Sequence, residues 1–402
     1  MKIIHTGDWH IGKIVNEFSM IDDQEFVLKQ LVKIIEKEKP DALLIAGDLY
    51  DRSIPPIDAV ELLDRTFTKI LLELKTPILA IAGNHDSAER LSFGSRILTK
   101  NGLYIAGVFH KEIKKITLQD KYGPVNFYLV PYADPREIKH ILENDGITTH
   151  DEAMKSIIER IKEHMNKSER NIMVAHGYVS FIKDYKAAAE EEEEGKKIRA
   201  GLQISDSERP LSIGGTDLIS GEYFNCFNYT ALGHLHGPQK VGSDRIRYSG
   251  SLLKYSFSET NQKKGATIVN IDEFGEVSIE FKEFIPKRDM RIIKGPMDQL
   301  INPEVYKQAN IEDYVYAILT DEGELVDPIS KLRAVYPNIM GLNRETFEER
   351  GESRTSASLG YENKSKLQLF EEFYGSIAGK ELTEEKINIV KKVIEEVDSE
   401  VK

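Results

Sequence analysis

The chain has 402 residues, a formal net charge of −13 and a single cysteine, Cys226. That length allows two or three domains with cores of their own, while one cysteine excludes an intrachain disulfide framework or a thiolate-rich metal site and fits a reducing, cytoplasmic setting. The acidic balance excludes a surface coated in positive potential, so any nucleic-acid contact needs a local patch or a metal site.

Five short apolar runs recur along the chain, and each ends in a polar cluster. The first, KIIHT, leads into Gly7, Asp8, Trp9 and His10. Residues 22–38 follow with Phe26, Leu31, Ile34 and Ile35 at helical spacing, closed by Pro40. The second run, ALLIA, leads into GDLYD, which holds Asp48 and Asp51 and precedes Arg52. Pro55 and Pro56 open a helix carrying Leu62, Leu63, Phe67, Ile70, Leu71 and Leu74. The third run, PILAIA, leads into GNHD with Asn84 and His85, and the fourth, NIMVA, ends in His176 and Gly177. Residues 187–194, AAAEEEEE, read as a solvated helical insertion, since like charges at this density stay in water. The fifth run, YTAL, ends in His234 and His236. In an extended chain residues i and i+2 share a face, so both imidazoles reach one point.

From about Phe284, RIIKG, YVYAILTD and NIMGLN read as three strands, with helical stretches over 297–308 and 328–335. A polar span over 349–365 reads as a linker. Beyond it Leu369, Phe370, Phe373 and Ile377 line one helical face, and Ile387, Val390, Ile394 and Val397 another. The longest apolar runs, ALLIAG and PILAIAG, are too short to span a bilayer, and the first residues lack the pattern of a signal peptide. No membrane role is expected.

In α/β sheets, ligand sites collect beyond the carboxyl ends of strands. His10, His85, His176, His234 and His236 sit at such ends, joined by Asp8, Asp48 and Asn84. One buried histidine is usually a satisfied core residue, but five with carboxylates and an amide are a poor use of core positions. Imidazole, carboxylate and amide donors without thiolate suit Mn²⁺, Fe²⁺, Zn²⁺ or Mg²⁺. These donors are too many for one ion. Two ions roughly 3.5–4 Å apart, sharing a bridging carboxylate, use them all and clamp a phosphate for in-line displacement. Phosphoester hydrolysis is the reaction this predicts.

In order and spacing, GDWH, GDLYD, GNHD, AHG and GHLH resemble the calcineurin-like metallophosphoesterases over roughly residues 1–285. More narrowly, GDWHIGK, SERPLSIGGTD, YTALGHLHGPQ and YSGSLLKYSFSE are similar to the SbcD family, nuclease subunits of the bacterial SbcCD complex. The resemblance implies an α/β fold: a metallophosphoesterase-type β-sandwich flanked by helices over 1–283 and a small α/β cap domain that helps position DNA over 284–348. It further implies a linker over 349–365 and amphipathic helices over 366–402 that dock on an SbcC-like ATPase subunit. It implies a first metal held by Asp8, His10, Asp48 and His236, with Asp48 bridging to a second held by Asn84, His176 and His234, the ions being Mn²⁺. His85 is then the residue that contacts the scissile phosphate and assists the leaving oxygen, or else an orienter of a ligand.

Related break-repair nucleases place a second active-site histidine where this chain has Asp51. Either Asp51 orients a metal-bound histidine, or Arg52 contacts phosphate instead. Lys254 is a phosphate contact or an ordinary surface lysine, and Trp9 stacks on a nucleotide or wedges its loop against the core. The implied activity is exonuclease and endonuclease cleavage of double-stranded and hairpin DNA for end processing and repair, by a homodimer within a heterotetramer. The metal motifs alone equally admit a phosphatase or cyclic-nucleotide phosphodiesterase acting on small phosphoesters. A degenerate scaffold is disfavoured, because every expected ligand is present.

Overall fold

The computed structural model describes residues 1–181, 190–193, 196–199, 201–211, 217–321, 325–345, 365–378 and 382–400. They group into two compact units, one of Met1–Ile292 with Glu312–Val315 and one of Ile293–Ile311 with Tyr316–Lys402.

The first unit is built on two six-stranded sheets. One runs in the order Val277–Glu283, Gly265–Ile271, Lys2–Thr6, Ala42–Ile45, Ile78–Ile81, Leu103–Ala106. Its last four strands are parallel, with Ile3 opposite Ala42 and Leu43 opposite Ile78. ALLI and ILAI are buried throughout, as central parallel strands covered on both faces must be. The other sheet runs Gln239–Val241, Ser243–Tyr248, Tyr229–Gly233, Arg170–His176, Gly123–Leu129, Lys114–Asp120.

Period-2 alternation divides the second sheet between two cores. Phe127, Leu129, Ile172, Val174 and Ala231 meet Ile3, Leu44, Leu79 and Ile81 of the first sheet, whereas Tyr128, Met173, Ala175 and Leu232 meet Ile157, Ile158 and Ile161 of the helix His150–His164. The expected α/β sandwich flanked by helices is therefore what forms. His5 ties the sheets together: its Nδ1 is 2.9 Å from the Tyr229 hydroxyl and its Nε2 3.2 Å from Leu232 O.

The helix Ile21–Glu38 buries Val27, Leu28, Leu31, Val32 and Ile35. Phe26, expected on that face, is exposed, and Ile34 is half-buried, because the i, i+3, i+4 stripe through Leu28 and Leu31 turns them aside. The helix expected after Pro56 runs over Ile57–Thr68. The acidic insertion is a correction. Its described part, Glu190–Glu193, is a strand in a three-stranded sheet with Lys196–Arg199 and Leu202–Ile204, not a helix. The register sets Glu192 opposite Lys197 and Glu193 opposite Lys196. Residues 187–189 and 194 lie outside the described residues.

A three-stranded sheet is ordered Met290–Gly295, Tyr314–Leu319, Ile339–Arg344, the three strands expected there. Short helices over Met297–Leu300, Pro303–Tyr306 and Pro328–Arg333 accompany it, with Leu300, Leu319, Leu332 and Tyr336 buried. All but Ser365 of the expected linker lies outside the described residues. Helices Lys366–Ala378 and Glu384–Glu400 follow. On the first, Leu369, Phe370 and Phe373 are exposed; on the second Ile389 and Val393 are, while Ile387, Val390 and Ile394 are half-buried. The side chains of Ile377 and Val397 lie outside the described residues. Among the described residues no helix is long and apolar enough to cross a membrane.

Candidate metal centre

The carboxyl ends of the five strands deliver the donors, four of them on strained backbone. Asp8 (φ 51°), His10 (φ 45°), Asp48 (φ 50°) and His234 (φ 109°) all take positive φ, which costs about 1–3 kcal/mol for a residue bearing a Cβ. Backbone bonds hold the turns: Asp8 N–H donates to Gly47 O at 3.0 Å and His10 N–H to Asp48 O at 2.9 Å. Glycines make room for them. A Cβ on Gly47 would lie 2.4 Å from His176 Nδ1, and one on Gly83 2.2 Å from Asp48 Oδ1.

Asp48 stands at the centre. Its Oδ1 accepts from His85 N–H at 2.8 Å, while Oδ2 lies 3.6 Å from His10 Nε2 and 3.5 Å from His176 Nε2. Beside His10, the two Nε2 atoms of His10 and His236 are 3.1 Å apart. His176 donates Nδ1–H to Ala46 O at 2.9 Å, so its Nε2 bears a lone pair, and that lone pair faces Asn84 Oδ1 at 2.9 Å. Two acceptors side by side at that distance suit neighbouring ligands of one cation. Asp8 Oδ1 accepts from His234 N–H at 2.8 Å, and its Oδ2 is buried without a hydrogen-bond partner among the described residues, as is His10 Nδ1.

The electrostatics agree. Burial, then the charge of Asp48, pushes the Asp8 carboxyl well above its ordinary range, and burial raises Asp48. Burial also holds His10 and His234 well below the usual imidazole value, lowers His85 and His236, and brings His176 down to about 4. Buried carboxylates that repel each other and neutral imidazoles offering lone pairs form a donor set short of positive charge. Among the described residues two groups bring ligand atoms within 4.8 Å of one another, His10 with Asp51 and His85, and Asp8 with Asp48 and His176, which fits a dinuclear site for divalent ions.

The two histidines of GHLH do not share a face. The strand ends at Gly233, and the positive φ of His234 breaks the extended alternation. His236 turns to His10, while the His234 ring packs against His176 with centroids 5.5 Å apart.

His85 donates Nδ1–H to Asp51 O at 2.8 Å, and its ring stands edge-on to His10 at 4.6 Å between centroids. The Asp51 carboxylate takes Lys13 Nζ at 2.8 Å and lies 3.8 Å from both His10 Nδ1 and the guanidinium of half-exposed Arg52. Lys254 is engaged with Asp289 at 2.8 Å. Trp9 is fully buried, donating Nε1–H to Thr6 Oγ1 at 3.1 Å and packing edge-on to Phe67, so it wedges the first loop against the core.

A supporting layer escaped the sequence reading. Asp86 accepts from the N–H groups of Leu49, Tyr50 and Gly83 at 3.0–3.1 Å, clamping the loops that carry Asp48 and Asn84; burial, then the Asp48 charge, pushes it up to about 7. Glu208 accepts from His236 N–H at 2.7 Å. Ser207 Oγ takes the His236 Nδ1–H at 2.7 Å and donates to Glu259, which pairs with buried Lys264 at 2.6 Å. Burial opposes ionisation of Glu259, but Lys264 and His236 outweigh it and hold the carboxyl below its usual range. Asp86 and Glu208 stand in GNHD and SERP, so the motifs displayed them; their partners were what the sequence hid.

Residues 1–238 match the calcineurin-like phosphoesterase family, and residues 286–376 match the type 5 capsule protein repressor C-terminal domain, the SbcD C-terminal family. Similar solved structures include the calcineurin-like phosphoesterase YfkN from Bacillus subtilis, at 12% identity over 71% of this chain and 90% of that one, TM-score 0.35. A dimetal phosphatase from Danio rerio matches at 11% identity over 71% and 96%, TM-score 0.41.

Proposed function

We propose, for a chain that belongs to the calcineurin-like phosphoesterase family, the role of a Mn²⁺-dependent nuclease subunit that cleaves double-stranded and hairpin DNA within an ATPase–nuclease complex. The observation that carries the reading beyond phosphoester hydrolysis is the SbcD-type region over residues 286–376. A catalyst for small phosphoesters needs neither that domain nor the exposed Leu369, Phe370, Phe373, Ile389 and Val393 on the helices at its end. The assembly is a nuclease homodimer with SbcC-like ATPase subunits, working in the cytoplasm.

In this reading Asp8, His10, Asp48 and His236 hold one ion, and Asp48, Asn84, His176 and His234 the other. When bound, the ions polarise the phosphodiester and lower the pKa of water. The chain's own residues orient the reactants. Asp48 shares one carboxylate oxygen between the His10 and His176 halves. His85, its Nδ1–H fixed on Asp51 O, keeps Nε2 for proton exchange with the leaving oxygen. Asp51 anchors Lys13 and stands beside His10 as its orienting carboxylate.

The test is incubation of the purified chain with labelled duplex and hairpin DNA in Mn²⁺ or EDTA, with and without the ATPase and ATP. Metal-dependent cleavage of both DNAs is expected. Hydrolysis of small phosphoesters with no cleavage of DNA would instead assign a phosphatase or cyclic-nucleotide phosphodiesterase.

A further inference from the structure

We infer that Arg209 is a substrate-phosphate residue of this site, held at its mouth by the turn before it so that its guanidinium takes a non-bridging phosphodiester oxygen on the His85 side. The inference rests on the phosphodiesterase reading above. The turn is closed on itself, Ser205 N–H donating to Glu208 Oε2 at 3.0 Å and Glu208 N–H to Ser205 O at 3.2 Å. It is also fastened to its surroundings: Asp206 N–H donates to Ser258 Oγ at 3.0 Å, and Ser207 and Glu208 grip the ring and the backbone of His236 at 2.7 Å each. His236 meets His10 at 3.1 Å, and His10 faces the His85 ring, so the residue after Glu208 starts from a fixed point beside the reacting groups. Pro210 follows and restricts the backbone there.

The other cations considered for this site are engaged, Lys13 and Arg52 with Asp51 and Lys254 with Asp289. Arg209 is exposed, and among the described residues it has no ion pair or hydrogen bond. Its charge reaches His85, where after burial it is among the influences that lower the imidazole pKa. A planar fork of donors matches two phosphate oxygens, and a free guanidinium adds positive charge toward an anionic substrate beside the carboxylates of Asp8 and Asp48.

Arg209→Ala and Arg209→Lys would be assayed in Mn²⁺ on bis(p-nitrophenyl) phosphate and on labelled duplex DNA. The alanine variant is expected to raise KM about tenfold on both substrates and to lower the salt slope of DNA binding by about 1. Mn²⁺ titration and thermal midpoint should stay as in the parent, and lysine should restore part of the loss. Unchanged KM on both substrates would overturn the assignment, and so would loss of Mn²⁺ binding, which would make Arg209 part of the metal scaffold. If the parent hydrolyses the small diester and leaves DNA intact, the nuclease reading fails, while KM on the small diester still decides Arg209.

Discussion

Asp48 joins the halves of the site because one of its oxygens lies within 3.6 Å of His10 Nε2 and 3.5 Å of His176 Nε2. Asp48→Asn keeps the volume but removes the charge both halves share. It should weaken Mn²⁺ binding by about tenfold or more and abolish cleavage with the fold intact; two unchanged events in calorimetric titration would contradict this. His85→Gln should keep both ions and lose turnover by roughly 10²-fold, whereas a variant that drops one ion makes His85 a ligand. Burial sets a pH dependence through His5, lowered to about 3, and His176, lowered to about 4. Both folded pKa values lie below the unfolded value near 6.5, so their contribution is fully present above that pH. It is lost as pH falls from about 6.5 toward 4, at up to about 1.4 kcal/mol per pH unit for each histidine. The raised Asp8 and Asp48 act in the opposite sense, losing their contribution as pH rises through their folded values. In EDTA the thermal midpoint of His5→Gln should rise relative to that of the parent as pH falls from 7 to 5; equal slopes by scanning calorimetry would refute the role of His5.

At the scale of elements, each site strand ends where a loop crosses another at backbone distance. A Cβ on Gly233 would stand 1.9 Å from Ala46 O, an atom fixed in the loop after the Ala42–Ile45 strand. No side-chain rotation relieves that clash. Gly233→Ala should destabilise by about 3 kcal/mol, the overpacking range, and a urea midpoint equal to that of the parent would show that the loops yield. The acidic insertion is decided by local pairing instead, its strand lying in a hairpin with Glu193 opposite Lys196 and Glu190 opposite Arg199.

For the whole molecule, the proposed assembly with an ATPase rests on the terminal helices. Apolar side chains left in water cost about 25 cal/mol for each Å², and Leu369, Phe370, Phe373, Ile389 and Val393 are all exposed. Truncation after Glu362 should leave a soluble enzyme that still cuts simple DNA in Mn²⁺ but no longer co-purifies with the ATPase. Phe370→Glu with Phe373→Glu should do the same with less disruption. A truncated chain that loses thermal stability and still co-purifies would assign the helices to the nuclease itself.

The sequence by itself determined the site strands, the polar ends that carry Asp8, His10, Asp48, Asn84, His85, His176, His234 and His236, and the chemistry of that donor set, because apolar runs and turn residues are local signals. The tertiary structure alone decided how those ends meet. The split of His234 from His236 depends on one positive φ, and the support of His236 joins Ser207 to Glu259, 52 residues further on. The buried stripe of Ile21–Glu38 likewise answers to the helix Ile57–Thr68 packed against it. Packing across such separations selects rotamers, backbone angles and ion pairs that no local window of residues encodes.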